Sequence, residues 1–211
     1  MQTYCCPGTG LATMPRAGLN LRLLSLALLA LCVAQLVEAK RVEGVNFPES
    51  VRLTPDGPAL IFNGGGLRRI FWMRVYVIGL YLPAKRSSTE DVVALKGPKR
   101  MLMVIERNEI TAQQFIDHLQ RRINDKRQAD EMGALKTRID ELYRVIEAEG
   151  TIRKGGTIAL DYLPDRGTVI RVNDQIKGRP IAGEAFYNAL LRIWIGESAP
   201  DAALREGMLG Q

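Results

Sequence analysis

The segment from Leu67 to Leu82 constrains the fold most, because it is the longest apolar stretch after the N-terminal region. It is rich in β-branched and aromatic residues, which are enriched in strands. Near-continuous hydrophobicity is typical of a strand covered on both faces. The sequence therefore predicts one long buried strand here. Arg68 and Arg74 interrupt it, and a buried guanidinium needs a partner.

Alternate residues of a strand share one face, so this strand would place both arginines beside large apolar groups. Such a surface could line a pocket for an amphipathic anion, because arginine binds a carboxylate through two parallel hydrogen bonds. The alternative is that both arginines lie at the rim of the sheet, paired with Glu106 or Asp161. The predicted face consists of Arg68, Ile70, Trp72, Arg74, Tyr76, Ile78 and Leu80.

The other patterns predict a mixture of strands and helices. Thr111 begins the clearest helix: it can form a capping box with Gln114, and Ile110 and Phe115 have the spacing of a hydrophobic staple. A second apolar stripe begins at Leu135. Strands in the first half, central helices and a hairpin before the last helices indicate an α+β fold, a mainly antiparallel sheet with a layer of helices on one face. The predicted strands include 42–47, 51–53, 60–63 (ended by Gly64–Gly66), 101–105, 157–162 and 168–172.

The N-terminal region has the pattern of a secretory signal peptide. Arg16 and Arg22 precede an apolar run from Leu23 to Val33, and Ala39 supplies a small residue for cleavage. The run is shorter than the roughly 20 residues that span a bilayer, although an uncleaved anchor is an alternative. We predict a signal peptide over 1–39, with Met14 as an alternative start. One domain over 40–211 would then be exported, to the periplasm, with no transmembrane span.

Elimination narrows the chemistry further. His118 is the only histidine, and all three cysteines precede residue 39, so no cluster of these ligands predicts a metal site. His118 itself is interpreted as a surface residue of a helix. Gly64–Gly66 is not a dinucleotide fingerprint, because Arg69 stands where a further glycine is needed. No cofactor is predicted. The charged stretch 121–136 mixes both signs, which favours a solvated helix over a nucleic-acid interface.

Several segments together resemble the chalcone isomerase fold family, and most closely its bacterial, secreted, chalcone isomerase-like branch. They are Gly64-Gly65-Gly66-Leu67-Arg68, Val77-Ile78-Gly79-Leu80-Tyr81-Leu82, Gly97-Pro98-Lys99-Arg100, Gly167-Thr168-Val169 and the stretch from Phe186 to Gly196. The resemblance implies an open-faced β-sandwich: an antiparallel sheet with a helical layer. This agrees with the fold class predicted from the residue patterns.

The resemblance also implies which catalytic groups are missing. Arg68 matches the arginine that polarises the substrate ketone in the plant isomerases. Phe115, Arg122 and Ile193 stand where polar groups are expected, and Tyr76 falls near a catalytic threonine. Because losing one such donor typically costs about 10²–10³ in rate, the resemblance favours a protein without isomerase activity.

The family includes fatty-acid-binding members in which the arginine holds a carboxylate above an apolar cleft. The resemblance therefore predicts a non-catalytic, periplasmic binder of a fatty-acid-like carboxylate. Two alternatives stay open: an isomerase or intramolecular lyase that uses Arg68 and Tyr76 on an enone-like substrate, and a structural domain with a vestigial cleft. The predicted ligand-binding residues are Arg68, Trp72, Arg74, Tyr76, Ile78 and Phe115.

Overall fold

The computed structural model describes residues 39–123, 133–197, 199 and 201–211. All of the predicted signal peptide except Ala39 lies outside these residues, so export and cleavage stay predictions. The centre of the charged stretch 121–136 also lies outside them.

The fold is α+β, as predicted, and is built on a mainly antiparallel sheet. Seven strands form the main sheet in the order β11-β10-β9-β6-β5-β4-β3. Two further pairs, β1 with β2 and β7 with β8, lie outside it. The strands are β1 (Ala39–Val42), β2 (Val45–Pro48), β3 (Ser50–Arg52), β4 (Ala59–Ile70), β5 (Met73–Leu82), β6 (Lys99–Ile105), β7 (Glu109–Thr111), β8 (Thr151–Arg153), β9 (Thr157–Leu163), β10 (Gly167–Val172) and β11 (Gln175–Ile181).

Side chains cap the N-termini of the first and last of the described helices. Ser88 accepts a hydrogen bond from the backbone N–H of Asp91, and Asp201 accepts from Ala203 and Leu204 at the start of the last helix. None of the helices in the described part of the chain is long and apolar enough to cross a membrane. The helices are α1 (Thr89–Ala94), α2 (Ala112–Ile123), α3 (Lys136–Glu149), α4 (Glu184–Ile195) and α5 (Ala202–Met208).

The two faces of the sheet bury two separate cores. The larger core lies between the sheet and the helices, and in β5 it takes Tyr76, Ile78 and Leu80. The smaller core, which includes Val77 and Tyr81, lies on the opposite face beneath β1, β2 and β3. The alternation along β5 is the period of two expected of a strand with both faces covered.

The predicted single strand from Leu67 to Leu82 is wrong. The chain reverses within it, through a two-residue turn at Phe71 and Trp72 that joins β4 to β5. The sequence hides this turn because Asn and Gly, the usual hairpin residues, are absent from it. As a result, the even-numbered residues predicted to share one strand face belong to two paired strands and their connection.

The three glycines predicted to end a strand instead lie inside β4. A β-bulge between Phe62 and Gly64 inserts an extra residue, which moves the following even-numbered residues to the helical face. A Cβ on Gly64 would lie only 2.1 Å from the carbonyl oxygen of Gly207, and one on Gly66 only 3.0 Å from Leu204. The glycines therefore let α5 lie directly against β4, and the bulge orients Arg68 toward the helices.

A buried ion cluster joins three strands of the sheet. Asp161 of β9 is 1% exposed and accepts two hydrogen bonds from Arg100 of β6, at 2.6 and 2.7 Å. The Nε of Arg171 in β10 donates a third at 3.0 Å. In these contacts the arginine partners of Asp161 are Arg100 and Arg171. They are not Arg68 or Arg74, for which Asp161 was one of the alternative partners.

Candidate functional site

A cavity of about 240 Å³ lies between the β4–β5 hairpin, the segment leading into β7, and α2. We call it the arginine cavity. Four lining residues are aliphatic or phenyl side chains, and most of the others are polar or charged. The lining residues are Arg68, Ile70, Val75, Tyr76, Arg107, Ile110, Gln114, Phe115, Asp117, His118 and Arg121.

The start of α2 fixes one wall of this cavity. The predicted capping box is confirmed: Thr111 Oγ1 accepts from the Gln114 backbone N–H, and Gln114 Oε1 accepts from the Thr111 N–H, both at 3.2 Å. Residues three and four apart then lie on one helix face, so Gln114, His118 and Arg121 line the cavity together. The cap thereby sets the position of the helical groups of the site.

Arg68 and Tyr76 are directly opposite each other in the β4–β5 pairing. Burial lowers the pKa of Arg68, and the neighbouring Tyr76 acts in the opposite direction. Burial also raises the pKa of Tyr76 to about 12. The Tyr76 hydroxyl accepts a hydrogen bond of 2.8 Å from Trp194 Nε1, a bond that does not involve the proton of the hydroxyl itself.

His118 is a buried, neutral group at ordinary pH. It is 8% exposed, which corrects its interpretation as a surface histidine. Burial lowers its pKa to about 4, with further contributions from Arg68, Arg122 and Arg121. Its ring packs edge-on against Tyr76 with centroids 6.5 Å apart. The Nε2 atom is buried and has no hydrogen-bond partner within the described residues.

The charge of the lining favours anions. Of the described residues that line the arginine cavity, three are arginines (Arg68, Arg107 and Arg121) and one, Asp117, is a carboxylate. His118 adds no charge at neutral pH, because its pKa is low. The excess of guanidinium groups in a partly enclosed site suits a carboxylate, which arginine can bind in bidentate geometry.

The comparisons with known proteins identify the family. The sequence profile of the chalcone isomerase-like family matches residues 39–210. The chain belongs to the chalcone isomerase-like family. A comparison with curated proteins finds no match. Among solved structures, a fatty-acid binding protein from Arabidopsis thaliana is similar, with a TM-score of 0.62 and 18% identity over 82% of this chain and 96% of the other. At that identity the similarity shows the shared fold.

In this chalcone isomerase-like protein, three of the six predicted ligand-binding residues line the arginine cavity: Arg68, Tyr76 and Phe115. The other three lie elsewhere. Trp72 is 89% exposed at the hairpin turn, and Ile78 is buried in the core. Arg74 pairs with Glu106 at 3.1 Å and with Glu43 at 3.2 Å, the rim arrangement that was the alternative for it.

The three positions where the resemblance implies lost catalytic groups have different environments. Phe115 is 5% exposed and lines the arginine cavity. Ile193 is buried in the larger core. Arg122 is half-buried, with an Nε atom that has no hydrogen-bond partner among the described residues. The structure thus places a phenyl ring, without a hydroxyl, in the cavity wall.

Phe115 also borders a second space, which we call the apolar hollow. The hollow has a volume of about 20 Å³ and shares Ile110 and Phe115 with the arginine cavity. The rest of its lining is mostly aliphatic and includes Val145, Ile152 and Ile170. These two shared side chains therefore form the partition between a charged cavity and an apolar hollow.

Sequence reasoning missed Arg107, Gln114, Asp117, His118 and Arg121 as lining residues. Those on α2 carry a detectable signal, since Gln114, His118 and Arg121 recur at helical spacing behind a strong capping box. Arg107 carries none, because it lies in the connection before β7. No group of three or more His, Cys, Asp or Glu in the described ranges could hold a metal ion.

Proposed function

We propose that this protein binds a fatty-acid-like carboxylate in the arginine cavity without transforming it. The observation that carries the proposal is the lining itself: three arginines and one carboxylate beside four apolar side chains. Arg68 would hold the carboxylate, and the Tyr76 hydroxyl would donate a further hydrogen bond. The fold shared with a plant fatty-acid binding protein supports the proposal by analogy.

The volume of the cavity limits the ligand. If each methylene fills about the 30 Å³ of one liquid water molecule, then 240 Å³ holds a chain of about eight heavy atoms. Three of these atoms belong to the carboxylate, so about five buried carbons contribute roughly 4 kcal/mol before the costs of association. We therefore propose a medium-chain or compact amphipathic carboxylate, with the apolar walls supplying affinity and Arg68 setting orientation.

The titratable groups favour binding over catalysis. An effective general base or acid has a pKa near the operating pH, whereas Tyr76 has a pKa of about 12 and His118 of about 4. One observation favours the isomerase alternative: Arg68 and Tyr76 are cross-strand partners that both line the cavity. They could together polarise a carbonyl group.

Calorimetric titration with saturated fatty acids of 6 to 16 carbons tests the proposal. Arg68→Gln should weaken binding about tenfold or more, because a hydrogen bond to a charged group is lost. Arg74→Gln is the matched control, since Arg74 lies in the same hairpin but is paired with glutamates outside the cavity. It should change affinity less than twofold. If no acid binds the unmodified protein, or both variants behave alike, the proposal is wrong.

We propose export to the periplasm on the basis of the leader alone. Cell fractionation and N-terminal sequencing of the purified protein test it. An N-terminus at Lys40 in the periplasmic fraction is the expected result. An intact leader in the cytoplasm would contradict it.

A further inference from the structure

The turn between β4 and β5 exposes two large aromatic side chains. Phe71 is 86% and Trp72 is 89% exposed, and Met73 beside them is 39% exposed. We call Phe71 and Trp72 the aromatic tip. They belong to a two-residue turn closed by the pairing of Ile70 with Met73, so they project from the end of a hairpin. This exposure to water is unfavourable, because each ring leaves about 150–250 Å² of mostly apolar surface exposed.

The backbone of the tip is also unfavourable for its residue. Phe71 has a φ of 54°, a conformation that is a genuine outlier for a bulky side chain. In a two-residue hairpin with positive φ at the first position, glycine is preferred. Local stability therefore explains neither the exposed ring nor its conformation. Such an outlier motivates a functional explanation.

Beside the tip, two arginines are balanced by two glutamates, and the excess of positive charge lies in the nearby wall of the arginine cavity. Arg69 is exposed next to the tip, and Arg74 lies opposite Arg69 in the pairing. Glu43 pairs with both arginines, and Glu106 pairs with Arg74. The nearby wall of the arginine cavity adds further guanidinium groups. The charges of the hairpin, of its ion pairs and of the cavity wall are Arg68, Arg69, Arg74, Arg107 and Arg121 against Glu43, Glu106 and Asp117. Arg122 and Asp201, one of each sign, also act on Arg68.

We propose that the aromatic tip docks on the surface of an anionic phospholipid bilayer. Tryptophan and phenylalanine flanked by arginine are typical of segments that insert at the headgroup level, and basic groups are attracted to anionic lipids. A protein partner fits less well. Two rings supply roughly 300–500 Å², below the roughly 800 Å² per partner of a stable protein interface. A bilayer needs only the tip.

Docking would bring the arginine cavity close to the lipid. Ile70 and Arg68 line the cavity and precede Trp72 by two and four residues. At about 3.3 Å per strand residue, Arg68 lies within roughly 13 Å of the tip along the chain. The docking proposal depends on the tip and on the arginines around it, including those of the cavity wall, and it requires no ligand in the cavity.

The chain contains two tryptophans, which makes the test direct. Trp72 is exposed, whereas Trp194 is fully buried and bonded to Tyr76, so only Trp72 should respond to lipid. Vesicles of phosphatidylglycerol and phosphatidylcholine should shift the emission to shorter wavelength and reduce acrylamide quenching. Brominated lipids should quench Trp72. Trp72→Phe should abolish these signals. Phosphatidylcholine alone should produce much weaker responses.

Co-sedimentation with the same vesicles measures lipid binding by the variants, all of which are purified with the same N-terminus as the unmodified protein. Phe71→Gly/Trp72→Ser should weaken binding at least about tenfold, since both rings are lost, and should leave the melting temperature unchanged or higher. Arg69→Gln should weaken it about fivefold. The first control is Ile176→Ser, because Ile176 is another exposed apolar residue; it lies on β11, four strand spacings or roughly 20 Å from β5. The second control is Arg166→Gln, which removes an arginine from the β9–β10 turn. Both should bind normally.

Three results would overturn the proposal. The first is equal binding by the tip variant and the unmodified protein. The second is a Trp72 fluorescence that does not change when vesicles are added, which would indicate that the tip binds a protein instead of lipid. The third is protection of Trp72 from acrylamide without lipid, together with a dimer in sedimentation velocity, which would assign the tip to self-association.

Discussion

At the scale of single residues, Phe115 shapes the space proposed for the ligand. The resemblance to the isomerases marked it as a missing hydroxyl, and that prediction concerned chemistry. The structure adds a steric role, because the ring separates the arginine cavity from the apolar hollow. Because the hollow, at about 20 Å³, is smaller than one methylene group, the space that Phe115 denies to a bound chain is mainly the volume of its own ring.

We expect Phe115→Ala to join the two spaces and to favour longer acids. The optimum chain length in calorimetric titration should increase by about three or four carbons, since the removed ring has roughly that volume at about 30 Å³ per group. The variant should also lose about 3 kcal/mol of stability, measured by urea unfolding. Ile152→Ala is the control: it enlarges the hollow but leaves the partition in place. An unchanged optimum in Phe115→Ala would show that the ring is not the limit.

The residue scale also shows why the sequence located only part of the site. Arg68 was recognisable because it is a charged residue in an apolar segment. Trp72 and Arg74 were assigned to its face by assuming one straight strand. The turn at Phe71 is invisible to pattern analysis, since tertiary pairing stabilises a conformation that the residue itself disfavours. A single undetected reversal therefore moved two of the six predicted ligand-binding residues out of the cavity.

At the scale of elements, local sequence patterns predicted the start of a helix, whereas they did not predict the register of the strands. The caps at Ser88 and Thr111 depend on neighbouring residues only, and the one at Thr111 was found at its predicted position. The bulge between Phe62 and Gly64 depends on the partner strand and on the close approach of α5. No periodicity within β4 reveals it. Yet this bulge determines which face Arg68 occupies, so the site depends on the less predictable feature.

The ion cluster around Asp161 joins three strands, and we expect its loss to be costly. Asp161→Asn would leave two arginines, with side chains 12% and 21% exposed, without their carboxylate. Breaking a buried pair from one side typically costs 3–5 kcal/mol, and urea unfolding should show a loss of about that size. Lys136→Gln, which removes an exposed pair in α3 with Asp140, should cost less than about 0.5 kcal/mol. Equal losses in the two variants would contradict this reasoning.

At the scale of the whole molecule, His118 couples folding to pH, and under the proposed function it would couple carboxylate binding to pH as well. Its pKa in the folded protein is about 4, against about 6.5 in an unfolded chain. Between these values the unfolded state binds more protons, so the free energy of unfolding rises with pH. The stability that His118 contributes is therefore present above about pH 6.5 and is lost as the pH falls to about 4. The difference amounts to about 3 kcal/mol.

His118→Gln isolates this contribution, because carboxylates that also destabilise the fold in acid are common to both proteins. Urea unfolding at pH 7 and at pH 4.5 should show a smaller loss of stability in the variant than in the unmodified protein. Since His118 is the only histidine, NMR of the untagged protein gives one ring signal from which its pKa can be read.

A bound carboxylate beside His118 favours the charged ring, so a medium-chain fatty acid should raise that pKa above about 4. In Arg68→Gln the ligand-free pKa of His118 is itself higher, because Arg68 no longer lowers it. The same ligand concentration should then produce little further rise, because less of the cavity is occupied. A pKa that stays at its ligand-free value in a saturated complex would place the carboxylate away from His118, and so away from the polar end of the arginine cavity.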